Sequence, residues 1–594
     1  MAYIDNDTRP SPEIAAHKEE KQPYLRPWPA ADFAFKLVEF DHLAAALDHA
    51  AEAGTGMNFY NARGRAFASM RYDEIRERAL EQAARMLGMG LRRGDRVGII
   101  ADMGPDFITL FFACQYAGLI SVPLPVITGL GGRQGYRTQL ARVLETSGAR
   151  LALGTDAVLE DLKHAAQDTD AESVITPDML DRYRLSEQRL QPLGAHEQSH
   201  IQYSSGSTRY PLGIEISQAA LMANARSVAT DALQLGREER VASWLPFYHD
   251  MGLIGCMIIP VTCQLTVDYM HTDAFARRPL QWLKLISDNR CTISFAPTFG
   301  YELCTRRAER ASDMGLDLSC WRVAGVGGEM IQPAILDNFV ASFGQYGFDE
   351  NAFEPSYGLA EATLAFSFAR LNRGVRRDCV DRDAMSDHAY AAPATEDSVN
   401  IRNFASCGRP MDGYKVEIRD AMGTPLPERY IGRIYIKAPS LMNAYFQNPQ
   451  ATRERIDAHG WLDTGDMGYM ADGELFITGR QKDLIIVNGR NIWPQDLEWQ
   501  AEDGVDEVRP RDTAAFSIDG ECDREIPVIL VQCRVQDEQA CSHLRHAVHA
   551  TLFRNNGIDC RVVLIPHNSL PYTTSGKLSR AKAKKAYLEG AFLN

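Results

Sequence analysis

The hydrophobic positions of the N-terminal two thirds fall into short runs of two kinds. Ala66–Ser69 reads as a strand, and Tyr72–Leu87 follows it with apolar residues at helical spacing. Asp95–Ile100 is a short apolar strand. Phe107 to Gly132 carries no charge and is long enough to span a bilayer. Gln115, Gly118, Pro123, Pro125 and the closing Gly129, Gly131 and Gly132 argue instead for a buried helix, Phe107–Tyr116, and a buried strand, Leu119–Val122. The strand pattern returns at Arg150–Leu153, Arg240–Leu245, Thr292–Phe295 and Arg322–Val326. Strands separated by helices predict a mostly parallel α/β sheet.

The pattern changes in the C-terminal third. Val416–Asp420 and Gly432–Lys437 read as strands, and Tyr469–Phe476 reads as a hairpin turning on Asp472-Gly473. After Gly479-Arg480-Gln481-Lys482-Asp483 a new α/β unit begins: strand Val528–Cys533, helix Ala540–Asn555, strand Arg561–Ile565. This predicts a polar extension over 1–30, a large domain over 31–481 and a small domain over 482–594. Arg370–Asn400 is polar and weakly periodic, and reads as an insertion or long surface loop.

Composition narrows the classes. A chain of 594 residues exceeds one hydrophobic core. A net charge of −15 disfavours nucleic-acid binding. The 12 cysteines form no Cys-x-x-Cys pair, which argues against a metal cluster or disulfide framework and for a reducing cytoplasm. Met1 to Pro29 has no apolar core of the secretory type, and no transmembrane segment is expected.

Five stretches hold candidate chemistry. Between two strand-like segments, Ser204, Ser205, Gly206, Ser207 and Thr208 offer hydroxyls and a flexible backbone whose N–H groups can converge on phosphate. No Gly-Lys-Ser/Thr follows, so this is not a Walker loop. Ser243–Gly252 ends in the pair His249-Asp250, a base-and-orienter arrangement or a core histidine. In Pro355–Thr363, Tyr357 can stack on a purine and Glu361 can hold Mg²⁺. Trp461–Asp466 places Asp466 as an acceptor for ribose hydroxyls, or as a turn carboxylate. Leu570–Leu578 carries Lys577 on a Gly/Ser/Thr-rich loop; alone, it is a surface lysine.

Taken together, in this order and at these separations, the five stretches resemble the adenylate-forming superfamily of acyl-CoA synthetases, adenylation domains and luciferases, from about Met57 to Leu588. Ser243–Gly252, Ala296–Cys304, Pro355–Thr363, Ser406–Pro410 and Gly489–Glu498 are most similar to the fatty acyl-AMP ligases. The resemblance implies an α/β fold: a large adenylate-forming domain with parallel sheets and a β-barrel-like part, and a small mobile C-terminal domain. It implies ATP and Mg²⁺ as cofactors, a medium- to long-chain fatty acid as substrate, and a separate holo acyl carrier protein as acceptor. It assigns Lys577, His249 and Glu361 to catalysis, and Glu361 and Thr208 to the metal. Ser204–Thr208 would cradle pyrophosphate. Gly328, Glu329, Tyr357 and Gly358 would line the adenine site, Leu359 and Ala360 would also bind ATP or AMP, Asp466 and Arg480 would hold ribose, and Lys482 would be the hinge. In that family an insertion at Arg370–Asn400 hinders the domain rotation that CoA use requires.

Two positions depart from the superfamily: Leu212 stands where most members have lysine, and Gln218 where histidine is usual. Phosphate neutralisation then falls to Mg²⁺, Lys577 and either Arg209 or Arg490. The substrate carboxylate is ionised at pH 7 and is itself the nucleophile, so no general base is required. Lys577, Arg580, Lys582, Lys584 and Lys585 form a basic tail, read as a carrier-protein contact or as a solvated helix face. A fatty acyl-CoA synthetase and an inactive acyl-nucleotide binding protein remain as alternatives.

Overall fold

The computed structural model describes residues 26–127, 132–204, 211–396, 398, 400–487, 490–520, 525–535, 537–573 and 577–592. Most of the polar N-terminal extension and the Ser205–Thr208 stretch therefore lie outside the described residues.

Two large sheets form the bulk of the molecule. In the six-stranded sheet the order is Ser173–Ile175, Ala149–Leu153, Arg96–Ile100, Ile120–Leu124, Gln198–Tyr203, Gly213–Ser217. Its pairings are parallel except the last, where Gln198–Tyr203 and Gly213–Ser217 make an antiparallel hairpin. The nine-stranded sheet runs Arg409–Pro410, Ala365–Phe368, Phe353–Gly358, Val323–Val326, Ile293–Ala296, Arg240–Ser243, Thr266–Met270, Gly56–Tyr60, Ala66–Arg71. Its centre is parallel and its two edges antiparallel. This is the α/β adenylate-forming fold expected from the sequence.

The uncharged segment is a core helix, Pro105–Ala117, followed by the strand Ile120–Leu124. Proline near its start and Gly118 at φ 73° after its end delimit it. Phe107 through Ala117 are all buried, against the helix Tyr72–Gly88 among others. Every face meets protein, so the segment needs no polar side. No described helix is long and apolar enough to cross a membrane.

A four-stranded antiparallel sheet follows: Lys415–Arg419, Gly432–Lys437, Leu462–Ala471 and Glu474–Arg480. Its last hairpin turns on Asp472 at φ 54° and Gly473 at φ 73°, the left-handed pair that a tight two-residue turn requires. Beyond Lys482, Thr513–Asp519, Glu525–Cys533 and Arg561–Pro566 form a three-stranded sheet with its own apolar core, including Leu497, Ala515, Ile529, Val531 and Val548.

The reading of Arg370–Asn400 as a long loop needs correction. The segment contains the strand Arg377–Asp381, paired with Ile401–Ala405, and the helix Arg382–His388, whose start is capped by Asp381 accepting from Ala384 N. Val380, Met385 and Ala391 are buried in one cluster with Phe404, Tyr469, Phe476 and Trp493. Three apolar residues so far apart give no visible period, yet they suffice to dock a short strand and helix on an existing sheet.

Candidate active site

A cavity of about 500 Å³ lies where the two large sheets, the four-stranded sheet and the C-terminal unit meet. Among its lining residues are Ser204, Leu212, His249, Gly328, Glu329, Tyr357, Gly358, Leu359, Ala360, Glu361, Asp466, Arg480, Lys482 and Lys577. The fold thus gathers the described expected residues from five separated stretches into one space. Ser205, Gly206, Ser207, Thr208 and Arg209 lie outside the described residues.

One end of the cavity is the mouth of the hairpin Gln198–Tyr203/Gly213–Ser217. There Ser204 N donates to Leu212 O at 3.0 Å, and Leu212 N donates to Ser204 Oγ at 3.3 Å. Glu361 sits beside it on the short turn Ala360–Ala362. Its Oε1 accepts from the Tyr445 hydroxyl at 2.8 Å. Burial pushes the Glu361 carboxyl up, while Tyr445, Arg455 and Arg480 pull it down. Tyr445 is fixed to the same hairpin through a bridge to Ile214.

The middle of the cavity pairs Tyr357 with Asp466. The Tyr357 hydroxyl donates to Asp466 Oδ2 at 2.7 Å, and Arg480 Nε is 3.4 Å from Asp466 Oδ1. Asp466 and Arg480 face each other across adjacent strands, so the hairpin register sets their pairing. Gly358 is required by space: a Cβ there would lie 1.9 Å from Leu364 O. Glu329 turns its Oε1 to Phe299 N at 2.9 Å, near the start of the helix Thr298–Thr305, and burial raises its carboxyl.

Lys577 closes the far side. Thr573 N donates to Lys577 O at 2.7 Å and Lys577 N to Thr573 Oγ1 at 3.1 Å, so the loop is pinned at its neck. Gly328, at φ 80°, is so close that a Cβ there would be 3.8 Å from Lys577 Nζ. Burial lowers the Lys577 amine, Asp250 opposes this, and Arg480 adds to it. Burial first, then the Lys577 charge, push His249 down to about 3, so its ring is neutral at pH 7. His249 Nε2 has no hydrogen-bond partner among the described residues. Asp250 accepts from Met251 N at 2.8 Å; burial raises its carboxyl and Lys577 lowers it. Lys482, in the same cavity, is lowered to about 8 by burial and by the cations Arg480 and Arg455, against Asp483.

Two expectations are corrected, and the departure at Gln218 is placed. Arg490 is turned away from the cavity: its Nε donates to Asp387 at 2.8 Å and its Nη1 to Asn556 O at 3.0 Å. The basic tail is not one face, because Lys577 is in the cavity and Arg580 is paired with Glu498 at 2.5 Å and Asp483 at 3.5 Å. Gln218 is fully buried, accepting from Leu43 N at 3.0 Å and donating to Gln115 at 2.7 Å; it holds core elements together. Tyr445 and Arg455 went unnoticed in the sequence. Neither stands in a glycine- or hydroxyl-rich run, and only the fold brings them beside Glu361.

Comparison with known proteins agrees with this geometry. The family described as AMP-binding enzyme matches residues 49–446. A putative acyl-CoA synthetase of Caulobacter vibrioides is 44% identical over 95% of this chain and 98% of its own length. The medium-chain-fatty-acid–[acyl-carrier-protein] ligase JamA of Moorena producens is 30% identical over 88% of this chain and 90% of its own. A chain solved in structural work on the fatty acyl-adenylate ligases from E. coli and L. pneumophila superposes with a TM-score of 0.89 at 41% identity, covering 94% of this chain and 99% of that one. The chain belongs to the AMP-binding enzyme family. It is an adenylate-forming ligase, akin in sequence and fold to the fatty acyl-AMP ligases.

Proposed function

We propose that the protein activates a medium- to long-chain fatty acid with ATP to give acyl-AMP and pyrophosphate. The acyl group then passes to the phosphopantetheine thiol of a separate holo acyl carrier protein. The observation that carries the reading is the convergence of Lys577, Glu361, Asp466, Arg480 and Tyr357 on one cavity.

The carboxylate oxygen of the acid attacks the α-phosphorus, and the bond to pyrophosphate breaks. Two anions must meet, so the site acts by positioning and by neutralising charge. Lys577 serves the incoming carboxylate and the α-phosphate. Asp466 and Arg480 hold the ribose, Gly328, Glu329, Tyr357 and Gly358 line the adenine site, and Leu359 and Ala360 also contact the nucleotide. Ser204–Thr208 cradle pyrophosphate. His249, neutral beside Lys577, would sit near the acyl carboxylate and gate the acyl tunnel without acting as a base. Glu361 fits a hard divalent cation: it is buried in the cavity, and Tyr445 takes only one of its oxygens. Thr208 would be its companion ligand. Mg²⁺ held there would offset phosphate charge.

The acceptor assignment draws on the insertion. Arg490 pairs with Asp387 at 2.8 Å, and Arg402 with Asp496 at 2.9 Å, so residues on both sides of the proposed hinge Lys482 are tied together. Both ties oppose a rotation that would admit CoA. The similarity to a putative acyl-CoA synthetase keeps CoA as the second reading. We take the enzyme to be cytoplasmic.

The test is fatty-acid-dependent exchange of labelled pyrophosphate into ATP, followed by mass spectrometry of products with holo carrier protein and with CoA. The expected result is exchange and a carrier thioester. Acyl-CoA as the main product would transfer the assignment to a CoA synthetase. No exchange with any acid would leave an inactive nucleotide-binding protein.

A further inference from the structure

Arg455 is the last residue of the helix Pro449–Arg455, and its side chain enters the cavity beside Glu361. Its seat is specific. Nη1 donates to the carbonyl of Asp463 at 3.2 Å, and the guanidinium packs where Gly465, at φ 74°, leaves room: a Cβ there would lie 2.8 Å from Nη1. The Asp463 carboxylate is not its partner, since Arg433 holds it. Among the described residues no carboxylate forms an ion pair with Arg455. A half-buried guanidinium held by one carbonyl keeps most of its five donors for something else.

The surroundings say what that is. Arg455, Arg480 and Lys482 all line the cavity, and Arg480 faces Asp466 across the strand pair. Burial lowers the Lys482 amine, and Arg480 and Arg455 lower it further against Asp483 and Asp466, so the three cations are close enough to act on one another. The neighbouring wall is the Ser204/Leu212 mouth, with Tyr445 bridged to Ile214 and bonded to Glu361. Leu212 brings no charge to that mouth.

We propose that Arg455 is a substrate-contacting residue that binds the β- and γ-phosphates of ATP and the departing pyrophosphate. The inference rests on the ATP-dependent reading above. As the α-phosphorus bond to pyrophosphate breaks, negative charge accumulates on the leaving oxygens. A planar guanidinium offers paired donors to such oxygens, which a lysine does not. The same contact would serve the reverse reaction, in which free pyrophosphate enters the acyl-AMP complex.

The test compares wild type with Arg455→Met and Arg455→Lys in two measurements. The first is pyrophosphate exchange, giving KM for ATP and for pyrophosphate. The second is calorimetric binding of an acyl-sulfamoyl adenosine, which mimics acyl-AMP and lacks pyrophosphate. Loss of charge-assisted hydrogen bonds should raise both KM values in Arg455→Met by about ten- to a hundredfold. Analogue affinity should stay within about twofold, which also shows that the variant is folded. Arg455→Lys should recover part of the loss, and Leu212→Lys added to Arg455→Met should restore part by supplying charge from the opposite wall. Unchanged KM values, or a parallel loss of analogue binding, would overturn the proposal in favour of a purely local role at Asp463. Failure of wild type to bind the analogue would instead remove the adenylate reading of the site.

Discussion

Replacing Arg402 by methionine probes how the C-terminal unit is held. Arg402 lies on the strand Ile401–Ala405 and Asp496 on the helix Pro494–Gly504, on opposite sides of Lys482 in the chain. Their side chains are 3% and 5% exposed, and Nη1 is 2.9 Å from Oδ2. The guanidinium lies 4.4 Å from the Phe404 ring, 5.6 Å from Trp493 and 5.8 Å from Trp499. Burial lowers it to about 10, with Asp496 opposing, so the guanidinium is charged at pH 7. Asp496 Oδ1 has no hydrogen-bond partner among the described residues. Removing one member strands a buried charge and costs about 3–5 kcal/mol. That cost falls on the closed arrangement, whose population relative to open ones should drop by about 10²–10⁴-fold. Hydrogen exchange over 494–504 should accelerate accordingly, and acyl-AMP formation should fall. In Arg402→Met/Asp496→Leu the charges leave together, and protection should return to within about 1 kcal/mol. Equal exchange in wild type and Arg402→Met would refute the assignment of this pair as a clasp.

Other outcomes follow from the site and the core. Lys577→Ala should keep ATP binding and lose acyl-AMP formation by about a hundredfold or more, measured by single-turnover assay. Burial lowers the Lys577 amine below its ordinary 10.5, so kcat/KM should decline as pH rises through that lowered pKa, and Lys577→Arg should remove this alkaline limb from the pH profile. Glu354 is 1% exposed, neither carboxyl oxygen has a partner among the described residues, and burial raises it to about 8 despite Arg322. The folded state therefore holds a proton that the unfolded chain releases near 4.5, and stability falls as pH rises from about 4.5 to about 8. Glu354→Gln should melt above wild type at pH 8 and lose that advantage at pH 4, read by thermal denaturation.

Much of the parallel architecture was legible because it rests on local signals. The uncharged run at 107–117 had to be buried somewhere, and Asp472-Gly473 could adopt left-handed angles where few dipeptides do. The five active-site stretches were legible as a set rather than singly, since a serine-rich turn or a lone lysine has ordinary explanations. What was hidden depends on long-range packing. Arg490 looked like a free cation until the insertion brought Asp387 against it. Arg580 belonged to a basic run in the sequence and to Glu498 in space. Arg455 and Tyr445 show the same limit from the other side: ordinary residues of an irregular stretch become part of the site because the hairpin and Glu361 meet there.

The insertion helix Arg382–His388 has a wider consequence. Through Asp387 it grips Arg490, eight positions beyond the proposed pivot, while neither residue borders the catalytic cavity. On the proposed reading of the acceptor, its choice can then drift by surface changes on this helix, leaving the adenylation chemistry intact. Gene duplicates of such a ligase could diverge between soluble thiol and carrier-bound thiol through charge reversals at a handful of exposed carboxylates, with the ATP site inherited unaltered.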